Sequence, residues 1–339
     1  MKFPTKLPVN PGEVIKQGKL FKEQGEKQIS IGLLVDPLAS DEMIAIVSSL
    51  LTPQTLRCRV VTRVIGTDTI GPHSTSKYDF IVCVLSTPKD GATQDYSEAL
   101  IGLVGKIVDS RRKLMIVTTS IDAESVAEHF RVSILDIVDG SNREACSQDI
   151  ARWCAEEMSD IRLALAVNFP FMRESVATEF IKATALQNAI VGGLLFIPGA
   201  DLPVMTLNQI KMMFQVAAVY GEPISIERAK EVAAIVAGGF TMRTVAREFV
   251  GVIPFLGWAI KAAIGYGATY GMGIAVVQYF AGGGQVAQLG QHLLSVRDEI
   301  VIKSREAMAK TPGISHRTAQ SHVPFKTRRG YIESNRTRG

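Results

Sequence analysis

The chain contains 339 residues, of which 47% are apolar and 21% are charged, and it carries a formal net charge of +4. This length predicts about two domains and is sufficient for a substantial buried core. A cleavable secretory signal is not expected, because residues 1–27 are polar and charged.

Residues 28–159 are predicted to form an α/β domain, preceded by a flexible lead at residues 1–27. Short β-branched runs alternate here with polar helical stretches, which is typical of a mostly parallel sheet covered by helices. The predicted strands are Ile29–Val35, Arg59–Ile65, Phe80–Ser86, Leu114–Thr119 and Ile134–Val138. The predicted helices are Asp41–Leu51, Asp95–Arg111, Ala123–His129 and Arg143–Met158.

Residues 160–310 are predicted to form an all-α, hydrophobic helical-hairpin domain. Strand-like runs give way after about Ser159 to long apolar segments rich in Gly and Ala. The predicted helices are Arg173–Ile197, Leu202–Tyr220, Ile226–Phe249, Phe255–Phe280 and Gln285–Ala309. Residues with turn or capping chemistry separate them, namely Pro198, Gly199, Asp201, Pro254 and Gly257.

One apolar segment is long enough to raise the question of a membrane span. Residues 250–280 carry a single charge, Lys261, whereas a spanning helix needs about 20 apolar residues. A tilted span, a re-entrant hairpin and a buried soluble helix all fit this run. Small residues recur every four positions within it and predict a flat face for close helix packing. They are Ala263, Gly267, Gly271 and Ala275.

The cysteines and histidines lack the spacing of a metal site, since neither a CxxC nor an HExxH motif is present. We therefore expect no zinc site and interpret the cysteines as reduced core thiols. The cysteines are Cys58, Cys83, Cys146 and Cys154.

Several short motifs follow one another between Thr184 and Ala281. They are Ile197-Pro198-Gly199-Ala200-Asp201, Asn208-Gln209-Ile210-Lys211-Met212-Met213, Tyr220-Gly221, Ile253-Pro254-Phe255-Leu256-Gly257, Gly265-Tyr266-Gly267-Ala268-Thr269-Tyr270-Gly271-Met272-Gly273 and Tyr279-Phe280. In this order and spacing they resemble the bacterial YcjF-like domain of unknown function, a helical module often fused to GTPase domains or encoded near them. The resemblance implies a GTPase context and membrane attachment, and no particular reaction.

In that context the first half resembles a degenerate P-loop GTPase-like domain. Residues 36–41 take the place of the phosphate loop, and Asp122 is the residue that remains of the guanine-reading N-K-x-D motif. A phosphate loop needs glycines, a Lys and a Ser or Thr that holds magnesium. Here Asp36, Asp41 and Glu42 would instead repel a phosphate.

Three residues of this half are candidate binding residues, namely Asp36, Ser40 and Asp122. Asp36, Ser40 and Asp41 could together bind a divalent metal, and Asp122 could bind a guanine edge. The competing interpretation is helix capping, by Ser40 or Asp41 at one helix and by Asp122 at another.

These patterns predict a non-catalytic, pseudo-GTPase-like, membrane-associated scaffold or partner subunit. We expect a protein partner or a homo-oligomer, no cofactor, and a location in the cytoplasm or on the cytoplasmic side of the bacterial inner membrane. The alternative is a divergent GTP-binding protein or GTPase that a partner completes, with GTP as its cofactor.

The end of the sequence is predicted to be a disordered basic tail, at residues 311–339. Nine Lys or Arg oppose two Glu between Lys303 and Gly339, a net charge of +7. Such a tail can attract anionic lipid or RNA. Nucleic-acid binding ranks last, because no RNA-binding module is visible.

Overall fold

The first half of the chain folds around a five-stranded sheet in which every strand pairs in parallel. In the computed structural model the strand order is β2-β1-β3-β4-β5. The strands are β1 (Ile29–Val35), β2 (Cys58–Val64), β3 (Phe80–Val84), β4 (Lys113–Thr118) and β5 (Ile137–Asp139). The structure describes residues 11–66, 77–86, 94–109, 112–119, 123–194, 201–222 and 257–282, and these all belong to a unit that spans residues 1–298.

Nine α-helices lie within these described ranges. Those of the first half are α1 (Pro11–Gly25), α2 (Asp41–Leu50), α3 (Gln94–Asp109), α4 (Ala123–Phe130) and α5 (Arg143–Glu157). Those of the second half are α6 (Arg162–Asn168), α7 (Arg173–Leu194), α8 (Asp201–Val219) and α9 (Gly257–Ala281).

Both faces of the central strands β1, β3 and β4 are covered, which explains their continuous apolar runs. Side chains alternate between the faces, so Val82 packs in the core that contains α2 and α5, and its neighbours Ile81 and Cys83 pack in the core that contains α3 and α4. All five residues of β3 are buried. The sheet is therefore doubly wound, with helices on each side.

The prediction of an α/β fold is confirmed, and β1 has the predicted bounds. The order β2-β1-β3-β4-β5 is one of the common doubly wound orders. It does not by itself confirm a P-loop GTPase-like fold. The predicted helices Ile226–Phe249 and Gln285–Ala309 and the tail at 311–339 lie outside the described residues.

Two local predictions need correction, and one helix was missed. The predicted flexible lead contains helix α1, which buries Phe21 in the core. The predicted strand Ile134–Val138 begins as a 3-10 turn at Ile134–Asp136, and only Ile137–Asp139 pairs with β4. Helix α6 was not predicted, because its seven residues are too short for a helical apolar period to be recognised.

Helices α7, α8 and α9 form a three-helix bundle, and close contacts fix their directions. Asn188 of α7 hydrogen-bonds Met205 of α8, and an added Cβ at Gly265 of α9 would lie 2.9 Å from the Asn188 carbonyl oxygen. At the opposite end, the rings of Tyr220 and Phe280 stack with centroids 6.3 Å apart. Helices α8 and α9 are therefore parallel to each other, and both are antiparallel to α7.

One apolar core continues across the predicted domain boundary at residues 159 and 160. It runs from the sheet through α5, α6 and α7 to α8 and α9. Trp153 of α5 packs against Phe80 of β3, with ring centroids 5.8 Å apart. Asn168, at the end of α6, accepts hydrogen bonds from Gln54 and Thr55, in the segment before β2. These bonds join the end of α6 to the segment that leads into the sheet.

Candidate functional site

The carboxyl ends of the parallel strands meet at one edge of the sheet. The chain moves from β1 to β2 on one side and then to β3 on the other side of β1. The space between the carboxyl ends of β1 and β3 is therefore the switch point of the topology, where doubly wound folds usually bind ligands. Asp36 follows β1 at this point, and its N–H donates to the carbonyl of Val84 at 2.9 Å.

The Asp36 carboxylate is buried, at 1% exposure, and both of its oxygens accept hydrogen bonds. Oδ1 accepts from the Leu38 N–H at 2.8 Å, which closes an Asx turn. Oδ2 accepts from the Ser86 N–H at 3.2 Å and from the Ser86 hydroxyl at 2.9 Å. Asp36 thus joins the end of β1 to the segment that follows β3.

Ser40 caps helix α2. Its hydroxyl accepts from the Met43 N–H at 3.2 Å, and its backbone is extended, with φ −66° and ψ 139°. The capping interpretation of Ser40 is therefore confirmed. Asp41 and Glu42 lie exposed in the first turn of the helix, where their charges interact favourably with the helix dipole.

Backbone N–H groups of the turn between β1 and α2 donate to acceptors within the turn, whereas a phosphate would need them as free donors. The Leu38 N–H donates to the Asp36 carboxylate, and the Ala39 N–H donates to the Asp36 carbonyl at 3.0 Å. Residues 36–42 contain neither Lys nor Arg. A polyphosphate at this position would therefore meet three carboxylates and a turn in which the amides of Leu38 and Ala39 are already paired.

Two further polar residues stand at the same edge and were not predicted as site residues. Ser86 directly follows the apolar run that ends β3, so its position after a buried strand was the available signal. Thr118 ends β4, is fully buried, and its hydroxyl has no hydrogen-bond partner among the described residues. Asp122, the third predicted binding residue, lies outside the described residues.

A second polar cluster lies inside the bundle, between α7, α8 and α9. Asn188 Nδ2 donates to the Thr269 hydroxyl at 3.0 Å, and Gln209 Nε2 donates to the same oxygen at 3.0 Å. Asn208 Nδ2 donates to Asn188 Oδ1 at 2.9 Å. Such a network fixes how the three helices align, because unpaired amides inside a core are costly.

The close helix contacts of α9 are made by Gly265 and Gly273. An added Cβ at Gly273 would lie 2.5 Å from Ile181 of α7. Of the predicted packing stripe, Ala275 is buried, Gly271 is half-buried, Ala263 is exposed, and a Cβ at Gly267 would meet nothing within 4 Å. The closest approach thus lies two positions away from that stripe.

The predicted turn residues are only partly described. Asp201 is the first residue of α8 and Gly257 is the first residue of α9. Pro198, Gly199 and Pro254 lie outside the described residues.

Burial disfavours ionisation of the thiols in this fold. All four cysteines are free and buried. Burial raises the pKa of Cys58 to about 11, with a smaller contribution from Asp79, and raises the pKa of Cys83 to about 12. Burial also raises the pKa of Cys146 to about 12 and that of Cys154 further still. Thiolate chemistry near neutral pH is therefore disfavoured.

Across the described ranges, no group of three or more His, Cys, Asp or Glu side chains is placed to hold a metal ion. Among these same residues, no helix has both the length and the hydropathy to cross a bilayer. A comparison with protein-family models gives no match, and no curated protein shows significant similarity to the chain.

Proposed function

We propose that the chain is a non-catalytic, membrane-associated scaffold or partner subunit. Its α/β half is a pseudo-GTPase-like domain that keeps a ligand-binding type of sheet and has lost the means to bind a nucleotide. Its helical half contacts a membrane on the cytoplasmic side, and the sheet half contacts a protein partner. The observation that carries this proposal is the pairing of the buried Asp36 carboxylate with Leu38 and Ser86.

The switch point of the sheet holds the buried carboxylate of Asp36. In a phosphate loop, backbone N–H groups point at the ligand and a cation neutralises its charge. At this turn the carboxylate of Asp36 takes that place and accepts from the amides of both adjoining segments. Binding a triphosphate would break these hydrogen bonds and bring like charges together, and both steps cost free energy.

Nucleotide-dependent thermal stabilisation tests the loss of nucleotide binding. A ligand at 100 times its dissociation constant stabilises a protein by about 2.7 kcal/mol, which is a measurable shift of the unfolding temperature. We expect the full chain to show no shift at millimolar GTP with magnesium, or at millimolar ATP. A saturable shift with GTP that Asp122→Ala abolishes would contradict the proposal and favour a divergent GTP-binding protein.

Cell fractionation tests the membrane part of the proposal. We expect the chain to sediment with membranes at low salt. If it remains in the soluble fraction at low salt, this part of the proposal is refuted, whatever the nucleotide result. Alkaline carbonate then distinguishes a peripheral contact, which it releases, from an integral one.

A further inference from the structure

The end of the bundle farthest from the sheet carries exposed apolar side chains, which we call the apolar tip. Leu186 and Ile190 of α7 are 44% and 51% exposed, and Val204 and Leu207 of α8 are 44% and 50% exposed. Their spacings of four and three residues place each pair on one side of its helix. Tyr266 of α9, at 37% exposure, completes the set.

These five residues lie at the same level of the bundle. Asn188 falls between the two α7 residues, and its Nδ2 lies 3.3 Å from the carbonyl of Met205, which falls between the two α8 residues. Gly265, next to Tyr266, approaches the Asn188 carbonyl. The opposite end of the bundle contains Phe180, whose ring packs under Arg162 of α6, so that end faces the sheet half.

Charged residues of the bundle helices are scarce at the apolar tip. The charged residues of α7 all lie in its first ten positions, at the sheet end, and the stretch from Ala183 to Leu194 has none. The tip halves of α8 and α9 carry only Asp201 and Lys261. Charged side chains are the main cost of placing a helix end in lipid, and that cost is small at this end.

The sequence that adjoins the tip ends of these helices is also uncharged. Residues 195–200 follow α7 and precede α8, and residues 250–256 directly precede α9. Their sequences, LFIPGA and VGVIPFL, contain no charged residue.

We propose that the apolar tip inserts into the headgroup and upper acyl region of an anionic lipid bilayer. This inference rests on the proposed membrane association and names the surface responsible for it. Apolar side chains provide the insertion. Tyr266 suits the interface, where an amphipathic side chain keeps its apolar part in lipid and its polar end in water. The net +7 charge of residues 303–339 adds attraction to anionic headgroups.

Vesicle sedimentation of the full chain tests the tip against a matched surface. The tip variant is Ile190→Ser with Leu207→Ser. The control is Ile101→Ser with Val108→Ser, which removes two exposed apolar side chains from α3 in the sheet half. With phosphatidylcholine vesicles containing phosphatidylglycerol, we expect the tip variant to bind about tenfold more weakly than wild type. The control should retain wild-type binding, and unchanged unfolding temperatures would show that both variants fold.

The fluorescence of Trp258, the second residue of α9, provides a second test of insertion. The only other tryptophan, Trp153, is buried in the shared core. Vesicles with brominated acyl chains should quench the fluorescence of the wild-type chain and leave that of Trp258→Phe unchanged.

The outcomes separate this inference from the proposed function. If wild type binds vesicles and the tip variant binds equally well, the tip is not the contact surface, although membrane association stands. If wild type binds neither anionic nor neutral vesicles, both proposals fail. If the tip substitutions convert a dimer into a monomer without affecting vesicle binding, the tip contacts a second copy of the chain and the lipid inference is refuted.

Discussion

Two glycines of helix α9 provide a matched test of the bundle's packing. Gly267 and Gly273 both lie inside the helix, so replacing either by Ala should gain a similar helix propensity, up to about 1 kcal/mol. Their surroundings differ. A Cβ at Gly267 meets nothing within 4 Å, whereas one at Gly273 would lie 2.5, 2.6 and 2.9 Å from three side-chain atoms of Ile181.

Ile181 has little freedom to yield. It is fully buried, and its β-branched side chain has one strongly preferred rotamer in a helix. Overpacking of this kind costs about 1–3 kcal/mol. We therefore expect Gly267→Ala to stabilise the chain by up to about 1 kcal/mol and Gly273→Ala to be about 1–3 kcal/mol less stable than Gly267→Ala.

Urea unfolding followed by circular dichroism measures this difference, provided that both variants share one m-value. A double-mutant cycle adds Ile181→Ala, which removes the three contacting atoms. The double variant should lose less stability than the sum of the two single changes, since the cavity accepts the new methyl group. If Gly273→Ala is as stable as Gly267→Ala, the close approach of α7 and α9 at this position is refuted.

Two further predictions concern the sheet half. Asp36→Ala should destabilise the chain by about 2–3 kcal/mol, because it leaves the buried donors of Ser86 and Leu38 without an acceptor. The control variant Asp41→Ala, at an exposed position, should cost less than about 1 kcal/mol. Equal urea midpoints for the two variants would contradict the role of Asp36. The pKa of Cys83 is raised to about 12 by burial against an ordinary value of 9.0, so its contribution to stability is fully present below pH 9 and is lost as pH rises from 9 towards 12. Between pH 8 and pH 10 the wild type should therefore lose about 1 kcal/mol more stability than Cys83→Ala, and equal losses would show that this thiol does not titrate with unfolding.

The strands could be predicted because the residues that favour them lie within each strand. A run such as Phe80–Val84 combines β-branching with burial on both faces, and each property is visible in the sequence. Helix α1 was missed for the opposite reason. Its sequence is polar, and it is held by tertiary contacts, including Phe21 in the core and Gly25 against Val167 of α6.

The site was predictable only where its contacts are close in sequence. The Ser40 hydroxyl accepts from the backbone N–H three residues ahead, and this spacing can be read directly from the sequence. The bond from Ser86 to Asp36 joins residues that are 50 positions apart. It depends on which strand lies next to β1, and propensity contains no information about strand order.

The packing face of α9 was also only partly predictable from the sequence. Small residues recur at four-residue spacing in two phases along α9, one through Gly267 and Gly271 and the other through Gly265 and Gly273. Both patterns satisfy the rule for a flat helix face. Only the rotation of α9 against α7 selects the second phase for the closest approach, and that rotation is set by the partner helix.

The attachment of Asn168 to the segment before β2 argues against dividing the molecule into two domains near residue 159. The composition of the sequence changes near residue 159, yet the side chains on either side of that point interlock in a single interior. Severing the chain there would divide the apolar core that runs from the sheet to α8 and α9. We therefore expect the sheet and the bundle to unfold together as one cooperative unit.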